Sequence, residues 1–272
     1  MNRNIVIIKL GGAAITIKDQ EYTPDLEVIS RVFNEIKESG CVAIIVHGAG
    51  SYAHPIARKY NLRNGRDEKV TLSDQRSAIS RIRMSVTKLH LLLLEAADQA
   101  GLNTFSVPIS AIMVSNGPEL ETSAYYEVIH EALSQEFVPI IFGDMVFDTE
   151  NQFRVVSGDR IIRLLTKFLQ VKGYSDIEVI FGTNVDGLYD RDPKYSDAKF
   201  YSKMTKSQLD EIKNQIGESL TSDITGGMKG KITEIIQILD LEVNVKIINL
   251  MKPDFLLNLL TNKPTIHSEF TS

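Results

Sequence analysis

"VHGAGSYAHP", Val46 to Pro55, sets two of the chain's five histidines around a glycine turn at the end of an apolar run. That run, "CVAIIV" from Cys41, is short, rich in β-branched residues and closed by glycine, the pattern of a strand buried on both faces. The pattern recurs in "IVIIKLGG" from Ile5, "VPIIFGD" from Val138 and "IEVIFGTN" from Ile177. Between the runs lie stretches with helical spacing. In "PDLEVISRVFNEIKESG", Leu26, Ile29, Val32 and Ile36 share one face. A longer helix is expected from an N-cap at Ser73 to a stop at Gly101, with Ile79, Ile82, Val86, Leu89 and Leu93 in a stripe widened by Leu91 to Leu94. Such a stripe is core or subunit interface, or else the wall of an apolar ligand pocket. "MVFDTENQFRVVSGD" reads as a hairpin turning at Thr149 to Gln152, "DRIIRLLTKFLQVKG" as the start of another amphipathic helix, and "YDRDPKYSDAKFYSK" around Asp190 as a polar loop. Alternating strands and helices predict the α/β class, with a mainly parallel open sheet covered on both faces and ligands at the carboxyl ends of its strands. The glycine turns all fall at those ends. No linker or repeat divides residues 1–272, so a single domain with two functional lobes is expected.

Composition narrows the function classes. With 43% hydrophobic and 24% charged residues and no Trp, the 272-residue chain reads as an ordinary soluble globular protein. A net charge of -5 argues against a nucleic-acid partner and leaves room for a local basic pocket. Cys41 is the only cysteine, so neither an internal disulfide nor a cysteine metal site is expected, which fits a cytoplasmic location. No apolar run approaches the roughly 18 residues of a membrane span, and "MNRNIVIIKLGG" reads as a first strand rather than a signal peptide.

Three glycine-rich stretches have the makings of an anion cradle, because a backbone without Cβ atoms can turn its N–H groups toward phosphate. They are "KLGGAA" (Lys9 to Ala14), "HGAGS" (His47 to Ser51) and "TGGMKGK" (Thr225 to Lys231), the last two preceding expected helices, whose N-termini favour anions. Each alone is equally an ordinary turn. Lys9 ends an otherwise apolar strand, where a charge either enters a polar site or sits at a solvated strand end. Lys18 follows the first glycine pair and Lys231 the third stretch, at the start of a helix. Lysines on separate loops suit phosphoryl transfer, which needs cations and N–H donors around spread negative charge. The motifs of Walker loops, protein kinases, serine hydrolases and zinc proteases are absent.

In order along about 225 residues, "IIKLGG", "VHGAGSYAHP", "VPIIFGD", "VVSGD", "GTNVDGLYDRDP" and "DITGGMKGK" resemble the amino-acid kinase superfamily and, within it, the isopentenyl phosphate kinases. The resemblance implies a three-layer αβα sandwich. It also implies ATP bound by a C-terminal lobe (residues 159–272), a phosphoryl acceptor bound by an N-terminal lobe (residues 1–158), Mg²⁺ on the ATP phosphates, and a homodimer formed through the N-terminal lobe. Its catalytic set would be Lys9, Lys18, His54, Asp159 and Lys231, with Asp159 orienting the lysines. Around the acceptor it places Gly11, Gly12, Gly48, Ala49, Gly50, His54, Gly143 and Asp144. Around the nucleotide it places Lys9, Thr183, Asp186, Tyr189, Gly226, Gly227 and Lys231. No protein ligand for a metal is implied. Asp186 with Gly187 also reads as an ordinary turn, and Tyr189 as packing.

The two histidines separate here. His47 ends a strand, and a structural hydrogen bond fixing the turn is expected of it. His54 matches the family's acceptor-binding histidine, which selects a phosphate or phosphonate; outside that motif it would read as a packed or solvated side chain. Ala13 stands where the family commonly has serine, and Ala53 where it has glycine. The function implied is ATP-dependent phosphorylation of isopentenyl phosphate to isopentenyl diphosphate in an alternative mevalonate route to isoprenoids. Ile79, Ile82, Arg83, Val86 and "SVPISAIMV" are candidates for lining the acceptor's apolar pocket. A kinase of fosfomycin or another small phosphate or phosphonate is the alternative enzyme, and a nucleotide-binding storage or regulatory protein the alternative of another class.

Overall fold

Successive side chains of a doubly buried strand enter different layers, and Ile5–Leu10 (β1) does so. Ile5 and Ile7 join one core, Val6, Ile8 and Leu10 the other. The structure is a computed structural model that describes residues 4–17, 20–63, 65–117, 123–218 and 226–272. After β1 come the short α1 (Gly12–Ile15), α2 (Leu26–Ser39) and β2 (Val42–His47), then a 3-10 turn at Gly50–Tyr52, α3 (His54–Lys59) and the long α4 (Leu72–Gln99). The first half continues with β3 (Thr104–Pro108), α5 (Ile109–Ile112), β4 (Met113–Ser115), β5 (Ser123–Ala124), α6 (Glu127–Ser134) and β6 (Val138–Phe142). The hairpin of β7 (Asp144–Asp148) and β8 (Gln152–Val156) closes it. The second half begins with α7 (Gly158–Val171), β9 (Ile177–Thr183), a ribbon of β10 (Leu188–Tyr189) and β11 (Phe200–Tyr201), and β12 (Lys203–Thr205). It ends with α8 (Lys206–Glu218), α9 (Gly226–Leu239), β13 (Val245–Asn249), α10 (Phe255–Leu260) and β14 (His267–Thr271).

One sheet joins both halves in the order β12-β14-β13-β9-β1-β2-β6-β3. Its pairs are parallel except β13 with β14, as the buried β-branched runs predict. Helices α6, α7 and α9 cover one face, and α2, α4 and α10 the other, so the expected αβα sandwich is present. Because β1 pairs with β2 on one side and β9 on the other, its carboxyl end lies at the seam between the two halves.

The helices follow their sequence signals with two corrections. Asp25 caps α2 through its side chain, and Gly40 ends the helix in the left-handed conformation at φ 66°. The N-cap of α4 is Thr71 rather than Ser73: its Oγ accepts from Asp74 N at 3.1 Å and donates to Asp74 Oδ2 at 2.8 Å. The reciprocal bond through a residue in the first turn makes Thr71 the stronger cap. The α4 stripe is core, since Ile82, Val86, Leu89 and Leu93 are all buried against the sheet, with Ile79 half-buried beside them. The second correction concerns "TGGMKGK". Gly226 and Gly227 form the first turn of α9, so Lys231 is the sixth residue of that helix and not its start. Thr225 lies outside the described residues.

In the second sheet, ordered β5-β4-β7-β8, the hairpin turns as expected, with Gln152 already paired to Asp148. Asp148 organises the turn. One oxygen accepts from Glu150 N at 3.0 Å and Asn151 N at 2.7 Å, and the other from Gly117 N at 3.2 Å, Arg154 Nε at 2.9 Å and the Ser115 hydroxyl. Burial alone would raise its pKa; the donors, led by Ser115 and Arg154, outweigh that and hold it at about 2.

Candidate active site

The carboxyl ends of β1, β2 and β9 meet backbone to backbone, which is why glycine recurs there. Gly11 N donates to Gly182 O at 3.0 Å, and Gly48 N to Leu10 O at 2.9 Å. A Cβ on Gly12 would stand 2.4 Å from Gly50 N, and one on Gly48 would stand 2.8 Å from Gly12 N. Thr16, buried after α1, ties the two turns together: its hydroxyl donates to Gly12 O at 2.7 Å and accepts from Ser51 N at 3.1 Å. Gly143 joins them by donating to His47 O at 3.2 Å, and Thr183 ends β9 beside Gly11. Elements widely separated in sequence thus bring the predicted Gly11, Gly12, Gly48, Ala49, Gly50, Gly143 and Thr183 to one end of the sheet.

Alternation along β1 turns Lys9 to the face of Ile5 and Ile7, the face covered by α7 and α9. There its ammonium pairs with Asp159, the second residue of α7, whose N-cap Ser157 accepts from Arg160 N at 3.3 Å. Lys231 enters from α9, 8% exposed, and its pKa falls to about 8 because burial and then Lys9 disfavour its charge while Asp159 supports it. Burial works to raise the Asp159 pKa, yet Lys9 and Lys231 together hold it below the usual carboxylate value. Both ammonium groups also lie over the Phe181 ring, 5.7 Å and 5.9 Å from its centroid. Register explains this, for Lys9 of β1 pairs laterally with Phe181 of β9. Two cations and one carboxylate leave a net positive charge beside the glycine turns, in a chain of net charge -5. Lys18 lies outside the described residues.

His54 opens α3 with Pro55 behind it, its side chain exposed. Its pKa is lowered, first by partial desolvation and then by Arg58, Lys9 and Arg63. The ring is therefore neutral near pH 7 until an anion offsets those charges. Ala53 meets its position with φ -129°, which an L-residue adopts without strain. His47 behaves differently. It is fully buried, its Nδ1 donates to Gly48 O at 3.0 Å, and its Nε2 accepts from His90 Nδ1 at 3.0 Å. His90 Nε2 in turn accepts from Ser106 Oγ at 2.7 Å. A carbonyl only accepts, so the whole chain has one proton order. Desolvation drives His47 to about 3 and His90 to about 4, leaving both neutral. His47 therefore makes the structural bond to the turn that was expected of it.

Asp144 is buried at the start of β7, accepting from Met145 N at 2.7 Å and Arg83 Nε at 3.3 Å; Arg83 also donates to Ser110 at 2.9 Å. Of the proposed apolar lining, Ile82, Val86 and Val107 are buried in the cores, whereas Arg83 and Ser110 are in place beside Asp144. On the other flank, Asp186 is held by Asn249 Nδ2 at 2.9 Å and Lys252 Nζ at 2.8 Å, and Tyr189 packs on Phe200. Asp186 thus fixes the loop after β9. Sequence reading missed Thr16, His90 and Phe181. An alternating strand pattern offers a signal only for Phe181, which aligns with Lys9 once β1 and β9 are paired.

The sequence pattern of the amino acid kinase family matches residues 4–249. An isopentenyl phosphate kinase of Methanothermobacter thermautotrophicus is 33% identical over 254 residues, 92% of each chain. One from Arabidopsis thaliana is 27% identical, covering 89% of this chain and 86% of that one. A solved isopentenyl phosphate kinase superposes with a TM-score of 0.83 at 29% identity, over 98% of this chain and all of the other.

Proposed function

Because this chain belongs to the amino acid kinase family, with isopentenyl phosphate kinases among its near full-length relatives, we propose that it acts in the cytoplasm as an ATP-dependent isopentenyl phosphate kinase. The observation that carries the chemistry is the Lys9–Asp159–Lys231 cluster over Phe181, set against glycine turns that lead to His54. An oxygen of isopentenyl phosphate attacks the γ-phosphorus of ATP in line. The bond from that phosphorus to the β–γ bridging oxygen breaks, and ADP leaves with the bridging electrons. No general base is needed, since a phosphate monoester with a second pKa of about 6 is already deprotonated near neutrality. Catalysis is then positioning plus charge neutralisation.

Each residue has a defined task in that reading. Lys9 touches the transferring phosphoryl group at the seam between the halves, and Lys231 the donor phosphates; Lys18 is proposed as a third contact. Asp159 pairs with Lys9 and supports the charge of Lys231. Backbone N–H groups of Gly12, Ala49 and Gly50 face the phosphates, with Gly143 and Asp144 behind the acceptor. Gly11 and Gly48, expected as further donors, instead give their N–H groups to Gly182 O and Leu10 O and shape the turns. His54 donates to the acceptor's terminal phosphate, which favours the imidazolium by offsetting Arg58, Lys9 and Arg63. Thr183, Asp186, Tyr189, Gly226 and Gly227 form the nucleotide side, so residues 1–158 bind acceptor and residues 159–272 bind ATP. The donor set at the phosphates is cationic, and the site's carboxylates among the described residues are engaged: Asp159 by Lys9, Asp144 by Arg83 and Asp186 by Lys252. It fits Mg²⁺ arriving chelated by ATP, with phosphate oxygens and water as ligands. Magnesium would supply charge neutralisation on the nucleotide.

The subunit contact of a homodimer is proposed at the N-terminal-lobe edge of the sheet, where β3 ends the strand order. Phe105 is exposed there against Phe137, ring centroids 6.0 Å apart. Transfer from ATP to isopentenyl phosphate, dimethylallyl phosphate, geranyl phosphate and fosfomycin, compared side by side, tests the assignment. Preference for isopentenyl phosphate supports it; preference for fosfomycin, or ATP binding with no turnover on any acceptor, overturns it.

A further inference from the structure

Lys231 reaches the phosphates from α9, and apolar packing alone would not fix where along α7 that helix stops, because hydrophobic contact is non-directional. A directional contact exists three residues on. Glu234 shares the Lys231 face of α9 and is 7% exposed. One of its oxygens accepts from Arg160 Nε at 3.1 Å and the other from Arg163 Nε at 2.8 Å. Arg160 adjoins Asp159 in α7, and Arg163 lies one turn further on. Two charge pairings of opposite sense therefore cross from α7 to α9: Arg160 and Arg163 hydrogen-bond Glu234, and Asp159 supports the charge of Lys231. The step along α9 is about 4.5 Å, and along α7 it is about 1.5 Å to Arg160 and about 6 Å to Arg163. A slip or rotation of α9 breaks the Glu234 bonds and moves Lys231 relative to Asp159. It would strand a buried carboxylate, a costly state.

We propose that Glu234 is a positioning residue for phosphoryl transfer: by clamping Arg160 and Arg163 it sets the register of α9 on α7 and so holds the Lys231 ammonium beside Asp159 and over Phe181. Its kinetic consequence rests on the kinase reading above; its structural consequence does not. Lys231 responds to both, since Lys9 and Asp159 are the charges that shape its titration.

The test follows Lys231 labelling by an amine-selective acylating reagent against pH, read by peptide mass spectrometry, in wild type, Glu234→Gln, Glu234→Asp and Arg163→Ala. In wild type the labelling midpoint lies at about 8. In Glu234→Gln, Lys231 is released to water and the midpoint moves toward the ordinary lysine value of about 10.4, while Glu234→Asp recovers part of the shift. The KM for ATP rises about tenfold in Glu234→Gln and the acceptor KM changes less than about twofold. A folded Glu234→Gln with wild-type midpoint and wild-type KM for ATP overturns the proposal. Should the Glu234 variants not fold, Arg163→Ala decides: its part-exposed side chain can be removed without stranding a buried guanidinium, and an unmoved midpoint there overturns the proposal equally. A wild type that never phosphorylates isopentenyl phosphate refutes the kinase reading while leaving the labelling result to judge the clamp.

Discussion

Replacing Asp159 by Asn removes the negative charge that Lys9 and Lys231 share while keeping the side chain's shape. Unit charges about 4 Å apart interact by about 4 kcal/mol at an effective dielectric near 20. Asp159 is 16% exposed, so solvent screens part of this, and about 2 kcal/mol per lysine remains. The sign follows from the direction of each effect. Asp159 supports the charged form of Lys231, whose pKa is about 8, so its loss pushes that pKa down and the lysine binds phosphate only at lower pH. The assay is kcat/KM for ATP against pH, which reports groups of the free enzyme. Wild type should lose activity as pH rises through about 8. In the variant that limb should fall by about one to two pH units, with the rate at neutral pH down about 10²- to 10³-fold. An unmoved limb with a rate within about threefold of wild type would refute the electrostatic role assigned to Asp159.

Other substitutions probe separate parts of the site and scaffold. His54→Ala should raise the KM for isopentenyl phosphate by about 10- to 100-fold, the worth of one hydrogen bond to a charged group, with the KM for ATP little changed; steady-state kinetics check this. Gly12→Ala drives a Cβ to 2.4 Å from Gly50 N, and backbone cannot yield as a flexible side chain would. Transfer should fall at least about tenfold, measured at saturating ATP. Asp148, with its pKa held at about 2, stabilises the fold above its unfolded value of about 4, and that contribution vanishes as pH falls from about 4 to about 2. Asp148→Asn should therefore cost about 2 kcal/mol at pH 7 and flatten the acid limb of the stability curve, followed by denaturant unfolding.

Much of this arrangement is written locally. The β-branched runs of β1, β2, β6 and β9 needed no tertiary knowledge, and Lys9 stood out because a charge interrupts an apolar strand. Thr71 and Ser73 are both capping residues at the start of α4, and the reciprocal bond with Asp74 selects Thr71. The glycines before Lys231 read as a loop, yet the apolar face of α9, Ile232, Ile235, Ile236 and Leu239, packs on the sheet and the helix extends back through them. His90 lies 43 residues from His47, and Glu234 lies 74 from Arg160. Such pairs depend on which faces of which elements meet, which no local pattern encodes. Asp159, 150 residues from Lys9, was found only through a resemblance of ordered motifs.

The central claim is that this site moves a phosphoryl group onto a phosphate. It is tested most directly by ³¹P nuclear magnetic resonance of isopentenyl phosphate and ATP-Mg²⁺ with the enzyme. The account predicts that the monoester resonance gives way to the paired doublets of isopentenyl diphosphate in step with ADP formation. ADP appearing with inorganic phosphate alone, or an unchanged monoester resonance at full enzyme occupancy, would contradict it.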